Sequence, residues 1–128
     1  MSVIPADWSS HPFCYVTSTG RRSGRPHRIE IWFVVDGGDA WLLTERDPET
    51  DWVRNLRASP AVTLEIAGIA HECRAAVVEI APDHRVRSAL ATRYEPSGGE
   101  LLDWARGALA VRVRPVGRAD GDRGATTR

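Results

Sequence analysis

Residues 20–28 read Gly-Arg-Arg-Ser-Gly-Arg-Pro-His-Arg, which places four arginines and no acid in nine residues. Arg21, Arg22 and Arg25 lie on a turn punctuated by Gly20, Gly24 and Pro26, and Arg28 opens the strand that follows. Glycines let backbone N–H groups approach a ligand closely. Ser23 adds a hydroxyl donor. The planar guanidinium fork binds phosphate or carboxylate through two parallel hydrogen bonds. The turn is therefore a candidate anion cradle. The same composition also suits a solvated hairpin tip, and at this level both readings stand. An RNA phosphate would want aromatic rings interleaved with the arginines, and the turn has none.

Other spacings carry weaker signals. His11 with Cys14, and His71 with Cys73, supply the side-chain types of a tetrahedral zinc site. Structural zinc pairs sit on tighter turns, so no metal is expected. Trp32 alternates onto one strand face with Arg28 and Glu30, which suits a ring facing a ligand, a dimer partner or plain packing. Val86, Leu90 and Tyr94 recur at i, i+4 and i+8, a core stripe of a helix. The segment Thr44–Asp51 holds four acids and one arginine, and acids beside a phosphate weaken its binding.

The chain charge bounds what these residues serve. Seventeen acids balance 17 cations, all of them arginine, so no global basic field for nucleic acid exists. The sequence opens with no basic-then-apolar signal pattern, and no apolar run reaches the roughly 18 residues of a membrane span. A cytoplasmic location is expected. Two cysteines are too few for a disulfide framework and read as buried free thiols.

The elements that must hold the turn are mostly strands. Residues 13–19 form a first β-rich run. His27–Asp36 alternates Ile29, Ile31, Phe33 and Val35 against Arg28, Glu30, Trp32 and Val34, a period of two. Asp36–Asp39 is a hairpin turn onto Ala40–Thr44. Thr50 can cap a short helix reaching about Ala58, which Pro60 follows. Strands Ala61–Ala67 and Ala70–Ala81 come next. Pro82-Asp83 starts a second helix, residues 101–104 form a short apolar turn, and Ala108–Val116 is the last strand. Six strands on short connections predict an antiparallel sheet that curls into a barrel. Residues 1–12 read as a lead-in, 13–116 as the domain, and 117–128 as a disordered tail.

Three segments together resemble a known family. They are Thr17-Ser-Thr-Gly-Arg-Arg-Ser-Gly-Arg-Pro, the strand Ile29-Glu-Ile-Trp-Phe-Val-Val-Asp-Gly, and Asp51-Trp-Val-Arg-Asn-Leu-Arg-Ala-Ser-Pro-Ala-Val-Thr. In this order, across residues 13–116, the chain resembles the deazaflavin (F420)-dependent nitroreductases of the flavin-reductase-like group. The resemblance implies a mostly β (α+β) fold, a six-stranded antiparallel split β-barrel with two or three short helices. It implies coenzyme F420 in a groove beside the strands, and hydride transfer to a quinone, nitro compound or activated alkene. Arg21, Arg22, Ser23 and Gly24, with Arg28, would meet the anionic tail. The backbone of Glu30, Ile31 and Trp32 would edge the ring system, and Trp52 and Asn55 would close the groove. Thr44 and Arg46 would stand where the family has a small Gly- or Ser-rich phosphate loop. Tyr94 would position the acceptor or donate a proton. FMN or haem on the same fold, and a non-enzymatic F420 carrier, remain as alternatives. So does a homodimer seam over Trp32, Trp41 and Trp104.

Overall fold

The structure, a computed structural model, describes residues 10–46, 51–96 and 99–116. Seven strands and three helices follow in the order β1 (Cys14–Thr19), β2 (Pro26–Ile31), β3 (Val34–Asp36), β4 (Asp39–Thr44), α1 (Asp51–Ala58), β5 (Ala61–Ile66), β6 (Ile69–Val78), α2 (Arg85–Tyr94), α3 (Glu100–Gly107) and β7 (Leu109–Pro115). The sheet order is β2-β1-β5-β6-β7-β4-β3, and every pairing is antiparallel. Its two edge strands, β2 and β3, are neighbours in the chain. Only Trp32 and Phe33 separate them, a span of about 11 Å from Ile31 to Val34. The sheet must curl until its edges meet, which makes a barrel split along one seam.

The expected mostly β split barrel is what forms, with seven strands rather than six. The extra strand comes from His27–Asp36, whose alternation continues while its partner changes. β2 pairs with β1, and β3 pairs with β4. Period-two patterning reports which face a side chain takes and not which strand lies alongside.

Alternation divides the apolar residues between two cores. Cys14, Val16, Phe33, Leu42, Val111 and Val113 point into the barrel, and Leu56 of α1 packs among them. Trp41, Leu43 and Ala110 face outward and are covered by Val86, Leu90 and Ala91 of α2 and Ala105 of α3. β4 and β7 are thus buried on both faces, as their almost unbroken burial shows. Each fully buried branched side chain contributes about 1.5–3 kcal/mol. Burial pushes the Cys14 and Cys73 thiols up to about 12, so both stay protonated and inert.

The helices are set by local acceptors. His84 Nδ1 accepts from Val86 N at 3.1 Å, so α2 starts there rather than at Pro82-Asp83. The short apolar turn expected at 101–104 is the middle of α3. Glu95 Oε1 accepts from Leu101 N at 2.7 Å and supplies the cap that Gly99 lacks. No described helix is long and apolar enough to cross a membrane. The predicted cap Thr50, most of the acidic loop, the start of the lead-in and the tail 117–128 lie outside the described residues.

Candidate functional site

The cationic turn is built on itself and then tied to α1. Gly20 N donates to Arg25 O at 2.8 Å and Gly24 N to Gly20 O at 2.9 Å. Gly24 has a φ of 71°, which favours glycine. A side chain at position 20 would strike His27 Nε2 and Ser23 Oγ, both at 2.7 Å. Ser23 Oγ accepts from Arg25 N at 3.1 Å, so it shapes the turn. Arg21 donates to Asn55 Oδ1 through both its backbone N (3.1 Å) and Nη1 (2.9 Å), and Nη2 reaches Asp51 at 3.3 Å. Arg21 and Asn55 therefore come together as the sequence suggested, but as a clasp between turn and helix. Arg22 and Arg25 are exposed, and no described carboxylate pairs with either. Theirs are the charges of the turn that no described carboxylate neutralises.

The second feature lies at the seam. Phe33 has left the ladder, and side chains take over its backbone groups. Tyr94 Oη accepts from Phe33 N at 3.2 Å and lies 2.7 Å from Pro12 O and 3.1 Å from Phe33 O. Arg93 Nη1 donates to Phe33 O at 2.6 Å, and Nη2 donates to His11 O. The Tyr94 ring stacks on Trp32 with centroids 4.4 Å apart and planes 3° from parallel. Trp32 is 45% exposed, so its other surroundings are open. A cavity of about 310 Å³ lies on one side, walled by Trp32, Tyr94, Glu95, Glu100, Leu101 and Trp104. A second, about 240 Å³, lies against Glu30, Ile31, Trp32 and Leu43. β2 is an edge strand there, so one edge of its backbone near Glu30–Trp32 carries no strand partner.

The remaining sequence candidates are dispersed. Arg28 lies over the Tyr15 ring at 3.8 Å and reaches Glu65 at 3.1 Å, while Glu30 accepts from Tyr15 Oη at 3.1 Å. These side chains brace the outer sheet face away from the turn. Arg46 donates to Gly107 O at 3.0 Å and Ala108 O at 3.4 Å, which complements the C-terminal end of α3. Thr44 pairs with Leu109 in the ladder. Trp52 packs partly buried against the barrel core. Glu45 accepts from Trp104 Nε1 at 3.3 Å, so the first acid of the loop points at α3. Trp41 is covered by the helices and lines no seam. Sequence reasoning missed Arg93, and it placed Trp104 at a homodimer seam rather than on the wall of the cavity beside Trp32. An arginine beside a tyrosine carries no pattern of its own, and only the bend at Phe33 gives Arg93 its role.

Burial raises the Tyr94 hydroxyl above its ordinary value, which makes it a poorer proton donor near neutral pH. Tyr94→Phe keeps the stack on Trp32 and removes the hydroxyl from Phe33 and Pro12. Thermal melts should show a loss of about 1–2 kcal/mol, with the rate of acceptor reduction within about threefold of wild type. A large fall in rate at unchanged stability would restore a proton-transfer role.

Together these features define a split β-barrel with cavities on both sides of Trp32 at its seam. Solved structures share this fold. A conserved hypothetical protein of Mycobacterium tuberculosis is 23% identical with a TM-score of 0.73, covering 91% of this chain and 84% of that one. An F420 reductase is 23% identical with a TM-score of 0.63, covering 87% and 92%. The haem storage protein of Vibrio cholerae is 17% identical with a TM-score of 0.64, covering 91% and 92%. At these identities the likeness speaks to fold alone. The family model for F420H(2)-dependent quinone reductase matches residues 3–114. The chain belongs to that family, which makes it a reductase with coenzyme F420 as its cofactor.

Proposed function

We propose that this protein transfers a hydride from reduced F420 to a small, planar, uncharged acceptor: a quinone, a nitro compound or an activated alkene. One observation carries the reading. An edge strand ends in a stacked, half-exposed indole, and its other end meets two arginines that no described carboxylate neutralises. From Arg25 to Trp32 the strand rises about 20 Å. That length suits a cofactor with a flat ring at one end and a polyanionic tail at the other. A compact FMN seated at Trp32 would leave the turn unused.

The residues present fit such a group. The open backbone edge of Glu30, Ile31 and Trp32 offers the donors and acceptors that the polar side of a ring system needs. Trp32 offers a flat wall, held in plane by Tyr94. Arg22 and Arg25 offer the countercharge, in a turn shaped by Arg21, Ser23 and Gly24. When bound, F420 supplies the hydride. The chain's own work is to orient, exclude water and select. Leu101 and Trp104 supply apolar wall to the seam cavity. Glu95 and Glu100 border it, and their negative charge disfavours anionic acceptors. Residues 13–116 contain every group this reading uses.

The test follows oxidation of reduced F420 by the purified protein with menadione, a neutral quinone. Turnover should depend on both partners. Trp32→Ala should lower kcat/KM at least tenfold, about 1.4 kcal/mol in the transition state. Tight coenzyme binding with no turnover of a quinone, a nitroarene or an enone would instead mark a non-enzymatic carrier.

A further inference from the structure

A second cationic feature lies at the end of the barrel away from Trp32. Ala75, Val111 and Val113 point into the barrel core, so alternation sends Arg74, Arg112 and Arg114 to the opposite face. α2 and α3 cover part of that face through Trp41 and Ala110. The register sets Arg74 directly across from Arg114, and like charges so placed repel. Arg57, in the last turn of α1, joins them on the wall of a cavity of about 450 Å³. Asp39 pairs with Arg114 at 3.0 Å. Among the described residues no carboxylate pairs with Arg57, Arg74 or Arg112. Elsewhere this chain, with equal acids and cations, pairs Arg21, Arg28, Arg46 and Arg85 with acids. An adjoining cavity of about 530 Å³ shares Arg74 and reaches Gly24 and Pro26 of the turn, with Glu72 as the acid on its wall.

We propose that this groove is a second anion-binding site, for a small oligoanion carrying several phosphate or carboxylate groups. Three uncompensated guanidiniums on a concave wall create a positive potential that attracts such a ligand. Their forks match its oxygens. A bound anion would also reduce the mutual repulsion of these cations in the folded chain, so binding and folding are coupled.

Tripolyphosphate is the probe, titrated calorimetrically into the full chain at low salt without coenzyme. A saturable site is expected that persists in the Arg22→Ala with Arg25→Ala variant, and the melting temperature should rise with probe concentration. Arg74→Gln combined with Arg112→Gln should weaken binding at least tenfold. Arg22→Ala with Arg25→Ala should change it less than twofold. Should the Gln pair fail to fold, Arg57→Gln on the surface of α1 replaces it and should weaken binding at least threefold. No saturable binding overturns the proposal, and so does binding that only the turn variant weakens. Repeating the titration with saturating F420 separates the two sources of the anion. Competition assigns the groove to the coenzyme's own tail, and unchanged affinity assigns it to a free oligoanion. Since the first titration contains no coenzyme, its outcome is independent of the reductase reading.

Discussion

Replacing Arg87 by Ala is expected to cost about 3–5 kcal/mol of folding stability. Arg87 is 2% exposed, and no carboxylate among the described residues pairs with it. Its guanidinium donates instead to four carbonyls: Ala81 O and Ala105 O at 2.8 Å, Ala108 O at 2.6 Å and Ile80 O at 3.0 Å. Two of these close the C-terminal end of α3, where a cation is favoured. The other two fix the chain as it leaves β6 for α2. Burial lowers the proton affinity of the guanidinium, and the four acceptors hold it charged. Truncation removes the guanidinium from Ile80 O and leaves Ala81 O with His84 N, and Ala105 O and Ala108 O with only long bonds of 3.4 Å from Ala108 N and Arg46 Nη2, in a place water reaches poorly, at about 1–3 kcal/mol per strongly affected group. At about 4 °C per kcal/mol for a domain of this size, the melting temperature should fall by 12 °C or more. Arg87→Lys should recover part of the loss, because one ammonium cannot reach four acceptors. A fall of less than about 1 kcal/mol in Arg87→Ala would show that the carbonyls find water instead.

The second large effect is on coenzyme affinity. Arg22→Ala with Arg25→Ala should raise the Kd for F420 more than tenfold, about 1.4 kcal/mol. Both side chains are exposed, so folding should be unchanged. Raising salt should weaken wild-type binding more than it weakens the double variant, since the screened charges are those removed. Arg21 separates contact from positioning. It is clasped to Asn55 and Asp51, so Arg21→Lys keeps the charge and loses the clasp. It should lower both affinity and melting temperature, whereas the Arg22/Arg25 pair lowers affinity alone. An unchanged Kd in the double variant would reduce the turn to solvated surface.

The strands were legible because one buried face imposes a period of two on any sequence that must fill it. β1, β4, β5, β6 and β7 fall within a few residues of where alternation and turn residues set them. The turn was legible because four arginines between two glycines leave little else to read. The break at Trp32-Phe33 was hidden, because alternation runs through it without a fault. α3 was half hidden, because its cap comes from Glu95, at the end of the preceding helix.

Residue order alone thus settles the β-rich class, the cationic turn and the family to which both belong, since each depends on neighbours along the chain. Which arginines remain open to an anion is a matter of folding. Arg28 and Arg46 read like Arg22 on paper, yet Glu65 captures one and the end of α3 captures the other. Those partners stand 37 and 61 residues away. Pairing at such separations is decided by the curl of the sheet, which no local pattern records.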